Sequence, residues 1–207
     1  NTIIFIFQAI LPENHLMIFI YKFALIPTKL KGNYINVITS TFLHGSWLHL
    51  LGNMWSLWLY GDNVEDSMGH FRFLIFYLLC GAIAGYTHVL FNMQSSLPTI
   101  GASGAVAGIM GAYFVLYPHA KIITLVPTFF FLPMFFPIPA FVFLFFWFLS
   151  QVFSGTVNWF VGSAAGGVAW WGHIGGFIAG MLLQNLFKKK RYKAPKPQYP
   201  EWARRKR

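Results

Sequence analysis

The chain has 207 residues, of which 57% are hydrophobic, 10% are charged and 24 are phenylalanine. This composition excludes an ordinary soluble domain and predicts an integral membrane protein, and the single cysteine, Cys80, excludes a disulfide framework. At about 20 residues for each span, six spans are the limit for this length. We therefore predict an all-α, polytopic membrane protein built as a six-helix bundle.

The first segments of the chain are too short or too polar to cross a bilayer. Thr2 to Leu11 is apolar but short and lacks a basic leader, so we interpret it as the remaining end of a truncated first helix and not as a signal peptide. Pro12 to Lys31 mixes apolar residues with Glu13 and three lysines. This mixture predicts a segment that lies at the membrane interface.

The second helix is predicted from Trp47 to Tyr60, after a lead-in from Tyr34 to Leu43. Ser46 is its expected N-cap and Gly61 its expected stop. A dense charge cluster follows and predicts a water-exposed turn; its members are Asp62, Glu65, Asp66, His70 and Arg72.

Four more helices are predicted from the remaining apolar runs. They are Phe71 to Phe91, Ser103 to near Pro118, Ala140 to Phe153, and Gly167 to Phe187. The connection from His119 to Pro139 contains four prolines and cannot be one continuous helix. The uncharged stretch from Ser154 to Gly166 is predicted to be a loop.

The C-terminal tail, residues 188–207, has ten Lys or Arg residues against one Glu and supplies most of the net charge of +10. A basic cluster beside a final span marks the cytoplasmic side of a membrane. We expect a disordered tail that attracts anionic lipid and does not bind nucleic acid. The predicted membrane domain is residues 1–187.

Polar residues inside apolar helices are costly and point to function. Ser103 lies among small residues, and His173 lies in the motif WWGHIGGFIAG. Counted back from the inner ends of their helices, both lie about 22 Å from the inner membrane edge. His49 falls close to the same layer, and Asn53 is one turn away on the same face.

A serine and a histidine at one depth predict a nucleophile and its general base. None of the five carboxylates is well placed to orient His173, so we expect a Ser–His dyad and not a triad. The structural alternative is an N-cap serine and an unrelated hydrogen-bonded histidine in the bundle. The pairing at matched depth favours the dyad.

This pattern resembles the bacterial rhomboid intramembrane serine proteases. The motif residues that carry the resemblance are His44, His49, Asn53, Gly101, Ala102, Ser103, Gly104, Gly172, His173 and Gly176, together with Gly61, Glu65 and Gly69 in the turn after the second helix. The resemblance covers nearly the whole chain. It implies a six-helix bundle in the bacterial inner membrane that cleaves transmembrane protein substrates without a metal or cofactor.

The resemblance also implies roles for individual residues. Ser103 would be the nucleophile and His173 the base, while His49, Asn53 and the backbone N–H of Ser103 would form the oxyanion hole. Supporting residues would be His44, Gly101, Gly104, Gly176 and Glu65. Two features depart from the family pattern: Ala107 replaces an aromatic residue that stacks on the histidine in some members, and the Trp-Arg pair of the first outer loop is absent.

A substrate gate is predicted at the outer end of the fifth helix, which is short, follows four prolines and precedes an uncharged loop. Gln151 and Phe153 are expected to lie there toward the second helix. Simple packing against lipid is the alternative for Phe153.

Three other functions compete with a protease. An inactive rhomboid-like protein that binds membrane clients is disfavoured by the presence of both dyad residues. A metal site of His44, His49, His88 and His173 lacks an HExxH motif and an outer-side carboxylate. A channel or transporter is disfavoured because the chain has no internal repeat and its polar groups cluster on one side.

Overall fold

The computed structural model describes residues 1–127, 133–161 and 167–190. Within these ranges the chain forms eight α-helices and one two-stranded sheet, and most of the basic tail lies outside them. The elements are α1 (Thr2–Ile10), α2 (Glu13–Phe23), α3 (Asn36–Thr39), α4 (Trp47–Met68), α5 (His70–Phe91), α6 (Ser103–Leu116), β1 (Lys121–Pro127), β2 (Pro133–Pro139), α7 (Ala140–Val161) and α8 (Trp170–Phe187).

Helix α6 is the centre of the bundle, with nine of its 14 residues buried. Its small residues allow α4, α5 and α8 to pack around it at close range. A Cβ added at Gly176 on α8 would collide with the main-chain carbonyl of Gly104 on α6. Glycine at these positions therefore sets the separation of α6 and α8, the two helices that carry Ser103 and His173.

Helix α4 is longer than the sequence predicted. It continues through Gly61 to Met68, so the acidic residues of the expected turn belong to its last turns. A single glycine is tolerated inside a packed helix at a cost of about 1 kcal/mol. The helix ends at Gly69, whose φ of 89° is a conformation that favours glycine.

The proline-rich connection forms an antiparallel strand pair in which Lys121 lies opposite Pro139. The sequence correctly excluded a continuous helix here, but the all-α prediction missed the sheet. Pro is tolerated because both strands of a two-stranded sheet are edge strands. The β-branched residues Ile122, Ile123 and Thr124 favour the extended conformation.

Helix α7 also exceeds its predicted end at Phe153 and reaches Val161. Residues 154–161 are therefore helical and not part of a loop, while 162–166 lie outside the described residues. Gly155 does not end the helix because it is buried against α8. A Cβ added to Gly155 would lie 3.3 Å from Cβ of Trp170. Helix α8 begins at Trp170, three residues later than predicted.

Two helices of the described residues, α5 and α7, are long and apolar enough to span a membrane by length and composition. Helix α6 is also apolar but shorter, with 14 residues. The count of six spans remains a prediction.

Candidate active site

Ser103 is the first residue of α6, which follows Ala102 as the N-cap. Ala102, and not Ser103, therefore occupies the N-cap position of this helix. Instead, Ser103 Oγ lies 2.8 Å from Nε2 of His173. The bond to His173 thus takes the place of the N-cap interaction that was the structural alternative for this serine.

His173 lies in the first turn of α8 and is 8% exposed. Its second ring nitrogen, Nδ1, lies 2.9 Å from Oε1 of Gln151 on α7. The rings of Trp147 and Trp170 lie beside it, with centroids 6.1 and 6.2 Å away. These groups contact the imidazole, whereas Ala107 on α6 has no aromatic ring to offer it.

His49 lies in the first turn of α4, where Ser46 Oγ accepts a hydrogen bond from its backbone N–H. The backbone N–H of Gly45 donates to His49 Nδ1 at 3.5 Å. Because an acceptor nitrogen carries no proton, this bond assigns the ring proton of the neutral imidazole to Nε2. His49 can therefore donate a hydrogen bond from Nε2.

Asn53 is 6% exposed, and its side-chain Nδ2 has no hydrogen-bond partner among the described residues. A buried donor without an acceptor destabilises a fold by about 1 to 3 kcal/mol. Nδ2 lies 3.9 Å from the position that a Cβ of Gly101 would occupy. The amide is thus an unused donor next to the turn that precedes Ser103.

Gly101 positions this turn through its backbone. Its φ is 128°, which an L side chain rarely adopts, and its N–H donates to the carbonyl of Ser40 at 3.0 Å. Glu65, by contrast, lies three residues before Met68, the last residue of α4, and its Oε1 is 2.7 Å from Nδ1 of His70. Glu65 therefore lies in the last turns of α4, next to the start of α5, and not in the cluster around Ser103.

His44 is 1% exposed, and its backbone is held by a residue that the sequence analysis missed. Gln8 on α1 donates from Nε2 to the His44 carbonyl and accepts from the His44 N–H, both at 3.1 Å. Burial and the neighbouring His49 lower the pKa of His44 to about 4. The sequence pointed to Gln8 in one way only, because it is a single glutamine in an otherwise apolar run.

The two predicted gate residues have different surroundings in the structure. Phe153 is 72% exposed. Gln151 is buried, and its side-chain oxygen Oε1 contacts Nδ1 of His173. The last turns of α7 make aromatic contacts with α5 and α8, and the substrate gate remains a prediction. Trp159 packs against Phe91 of α5 and Trp171 of α8, at centroid distances of 5.3 and 5.8 Å.

A cavity of about 580 Å³ opens beside Ser103 and is lined by His49, Gly101 and His173. His88, one of the four histidines of the metal alternative, also lines it and lies 3.0 Å from Thr99 Oγ1. Among the described residues, no group of three or more His, Cys, Asp or Glu side chains is arranged to hold a metal ion. The cavity leaves open space beside Ser103.

Comparison with known proteins assigns most of the chain to one family. Residues 31–190 match the Rhomboid domain family. The mitochondrial Rhomboid protein 1 of Saccharomyces cerevisiae is 34% identical over 52% of this chain and 32% of its own length. RHOMBOID-like protein 5 of Arabidopsis thaliana is 34% identical over 40% of this chain and 26% of its own length.

A human relative, the mitochondrial Presenilin-associated rhomboid-like protein, is 29% identical over 48% of this chain. That alignment covers 25% of the human protein. The chain thus spans about a third or less of the length of these curated relatives.

Proposed function

The chain belongs to the rhomboid family of integral membrane proteins, and on that premise we propose that it is an intramembrane serine endopeptidase. The observation that carries the proposal is the 2.8 Å contact between Ser103 Oγ and His173 Nε2. A serine hydroxyl is a weak nucleophile until an adjacent base takes its proton. His173 is the only residue that we assign this role.

In the proposed reaction, Nε2 of His173 takes the hydroxyl proton while Ser103 Oγ attacks the scissile carbonyl carbon. The imidazolium then gives that proton to the leaving amine, the C–N bond breaks, and an acyl ester remains on Ser103. Water attacks this ester after losing a proton to Nε2. The ester bond breaks, Ser103 recovers its proton, and the new carboxyl terminus leaves.

The tetrahedral intermediate places a negative charge on the former carbonyl oxygen. We assign its stabilisation to Nδ2 of Asn53, Nε2 of His49 and the backbone N–H of Ser103. The last group is unpaired within α6 because it belongs to the first turn, and the helix dipole there favours negative charge. The absence of an acceptor for Asn53 Nδ2 among the described residues supports this assignment.

The proposed substrates are transmembrane segments of other proteins. An intact helix has its carbonyls hydrogen-bonded, so the segment must unwind before its backbone enters the cavity beside Ser103. We further propose that the protein resides in a bacterial inner membrane with its basic C-terminus in the cytoplasm. The ten basic residues of the tail support this orientation and an attraction to anionic lipid.

Active-site labelling tests the proposal. Detergent-purified protein is treated with a fluorescent fluorophosphonate, which modifies activated serines. We expect labelling of the wild type and of Ser67→Ala, a variant at another buried serine, but not of Ser103→Ala or His173→Ala. Equal labelling of Ser103→Ala would overturn the proposed function.

Cleavage of a membrane-embedded substrate tests the substrate class. The protein is reconstituted in liposomes with a panel of single-span proteins whose spans carry small or helix-breaking residues. Products that require Ser103 and map to the span or its flanks support an intramembrane endopeptidase. Transport of solutes with no cleavage of any panel member would instead favour the transporter alternative.

A further inference from the structure

The side chain of Gln151 is the hydrogen-bond partner of the second nitrogen of His173. Its Oε1 lies 2.9 Å from Nδ1, and both residues are buried. Gln151 is one of only four buried residues on α7. A polar side chain that points into the bundle from an apolar helix has a specific partner to satisfy.

The amide of Gln151 is held in one orientation by its own helix. Nε2 donates to the main-chain carbonyl of Trp147 at 3.3 Å and to Ser150 Oγ at 2.9 Å. Ser150 Oγ in turn donates to the same carbonyl at 2.6 Å. A carbonyl can only accept, so a flipped amide would place two acceptors against each other.

This orientation determines the tautomer of His173. Because Oε1 can only accept, Nδ1 must carry the ring proton, and in the neutral imidazole Nε2 is then an unprotonated acceptor. An unprotonated Nε2 is the state that can take the proton of Ser103. The opposite tautomer would present an N–H to the serine oxygen and could not act as a base.

We propose that Gln151 is a positioning residue that fixes the tautomer and ring orientation of His173 through this neutral hydrogen bond. The inference rests on the proposed function of Ser103 and His173. It gives Gln151 a role different from the gate that the sequence suggested, and it supplies the orienting group that the five carboxylates do not. The site is then a chain of Ser103, His173 and Gln151 in which the third member is uncharged.

Two substitutions of similar length separate this role from packing. Gln151→Met removes the acceptor and keeps the volume of the side chain. Gln151→Glu keeps an oxygen acceptor for Nδ1, whether the carboxyl is ionised or donates its proton to the Trp147 carbonyl. Leu149→Met, at a partly exposed position of α7, is the control for an added methionine.

The first measurement is steady-state cleavage of a transmembrane substrate in liposomes. Loss of one neutral hydrogen bond predicts that Gln151→Met lowers kcat about 10-fold with little change in KM. Gln151→Glu should recover most of this loss, and Leu149→Met should match the wild type. Equal kcat for Gln151→Met and wild type, or equal losses in the Met and Glu variants while both stay folded, would overturn the inference.

The second measurement does not depend on activity. Nitrogen-15 NMR of ¹⁵N-histidine-labelled protein in detergent micelles reports which ring nitrogen of His173 carries the proton, with His173→Ala used for assignment. We expect a single Nδ1–H tautomer in the wild type and in Ser103→Ala, and a mixture in Gln151→Met. An Nε2–H wild type would overturn the inference, whereas the proposed function fails separately if no serine labelling depends on Ser103.

Discussion

Gly101 lies against the ring of His49, and a Cβ on this glycine would fall 2.6 Å from both Cε1 and Nε2 of the imidazole. The backbone of Gly101 also has a φ of 128°. Both the space and the conformation at this position therefore require glycine. The turn before Ser103 and the histidine of α4 therefore pack against each other at the wall of the cavity.

Gly101→Ala should consequently lose activity by displacing His49 or the turn. A misplacement of about 1 Å near the reacting groups lowers rates by about 100-fold. The positive φ adds a conformational cost of about 1 to 3 kcal/mol. Gly52→Ala is the control because no atom lies within 4 Å of its added Cβ. The cleavage rate measures the misplacement of the reacting groups, and thermal unfolding measures the conformational cost. A fully active Gly101→Ala protein would contradict the expected loss of activity.

Asn53→Ala tests the oxyanion donor separately from the nucleophile. Removal of one such donor lowers kcat by about 10² to 10³, or about 2.7 to 4 kcal/mol, with little change in KM. The variant should remain folded, because Nδ2 has no partner to lose among the described residues. Asn63→Ala, further along α4, should keep normal activity. Wild-type kcat in folded Asn53→Ala would show that the donor lies elsewhere.

Gln8→Leu tests the connection between α1 and the segment before α4. The substitution removes both bonds to the buried backbone of His44, and unsatisfied backbone groups destabilise by about 1 to 3 kcal/mol. We expect a lower unfolding temperature and a smaller loss of kcat than in Asn53→Ala. Ile3→Ala, at an exposed position of α1, is the matched control. An unchanged unfolding temperature would show that α1 is not held through Gln8.

Gly176→Ala tests whether the separation of α6 and α8 holds Ser103 and His173 together. The new methyl group would meet the Gly104 carbonyl and force the helices apart. Overpacking of this kind destabilises by about 1 to 3 kcal/mol and should slow fluorophosphonate labelling of Ser103. Leu182→Ala, on the exposed face of α8, should leave the labelling rate unchanged. Normal labelling in Gly176→Ala would mean that the pair tolerates a wider separation.

The sequence by itself determined the membrane class, the approximate helices and the residues that meet in the cavity. Hydrophobic composition and helix length are direct consequences of the bilayer, so they can be read without a fold. The prediction that Ser103 and His173 lie at one depth needed only the constant rise per residue of a helix. The small residues of α6 and α8 predicted a close approach of these helices, because two backbones can come close together only where the side chains between them are small.

Only the tertiary structure decided how α4 and α7 end, what the proline-rich connection forms and what holds His173. Gly61 and Gly155 could not be recognised as helix-internal, because packing by neighbours outweighs the local preference of glycine. Gln151 and Phe153 are two residues apart, and their different surroundings depend on the rotation of α7 against α8. The contact of Gln151 with His173 joins residues 22 positions apart on separate helices, and no local pattern specifies such a meeting.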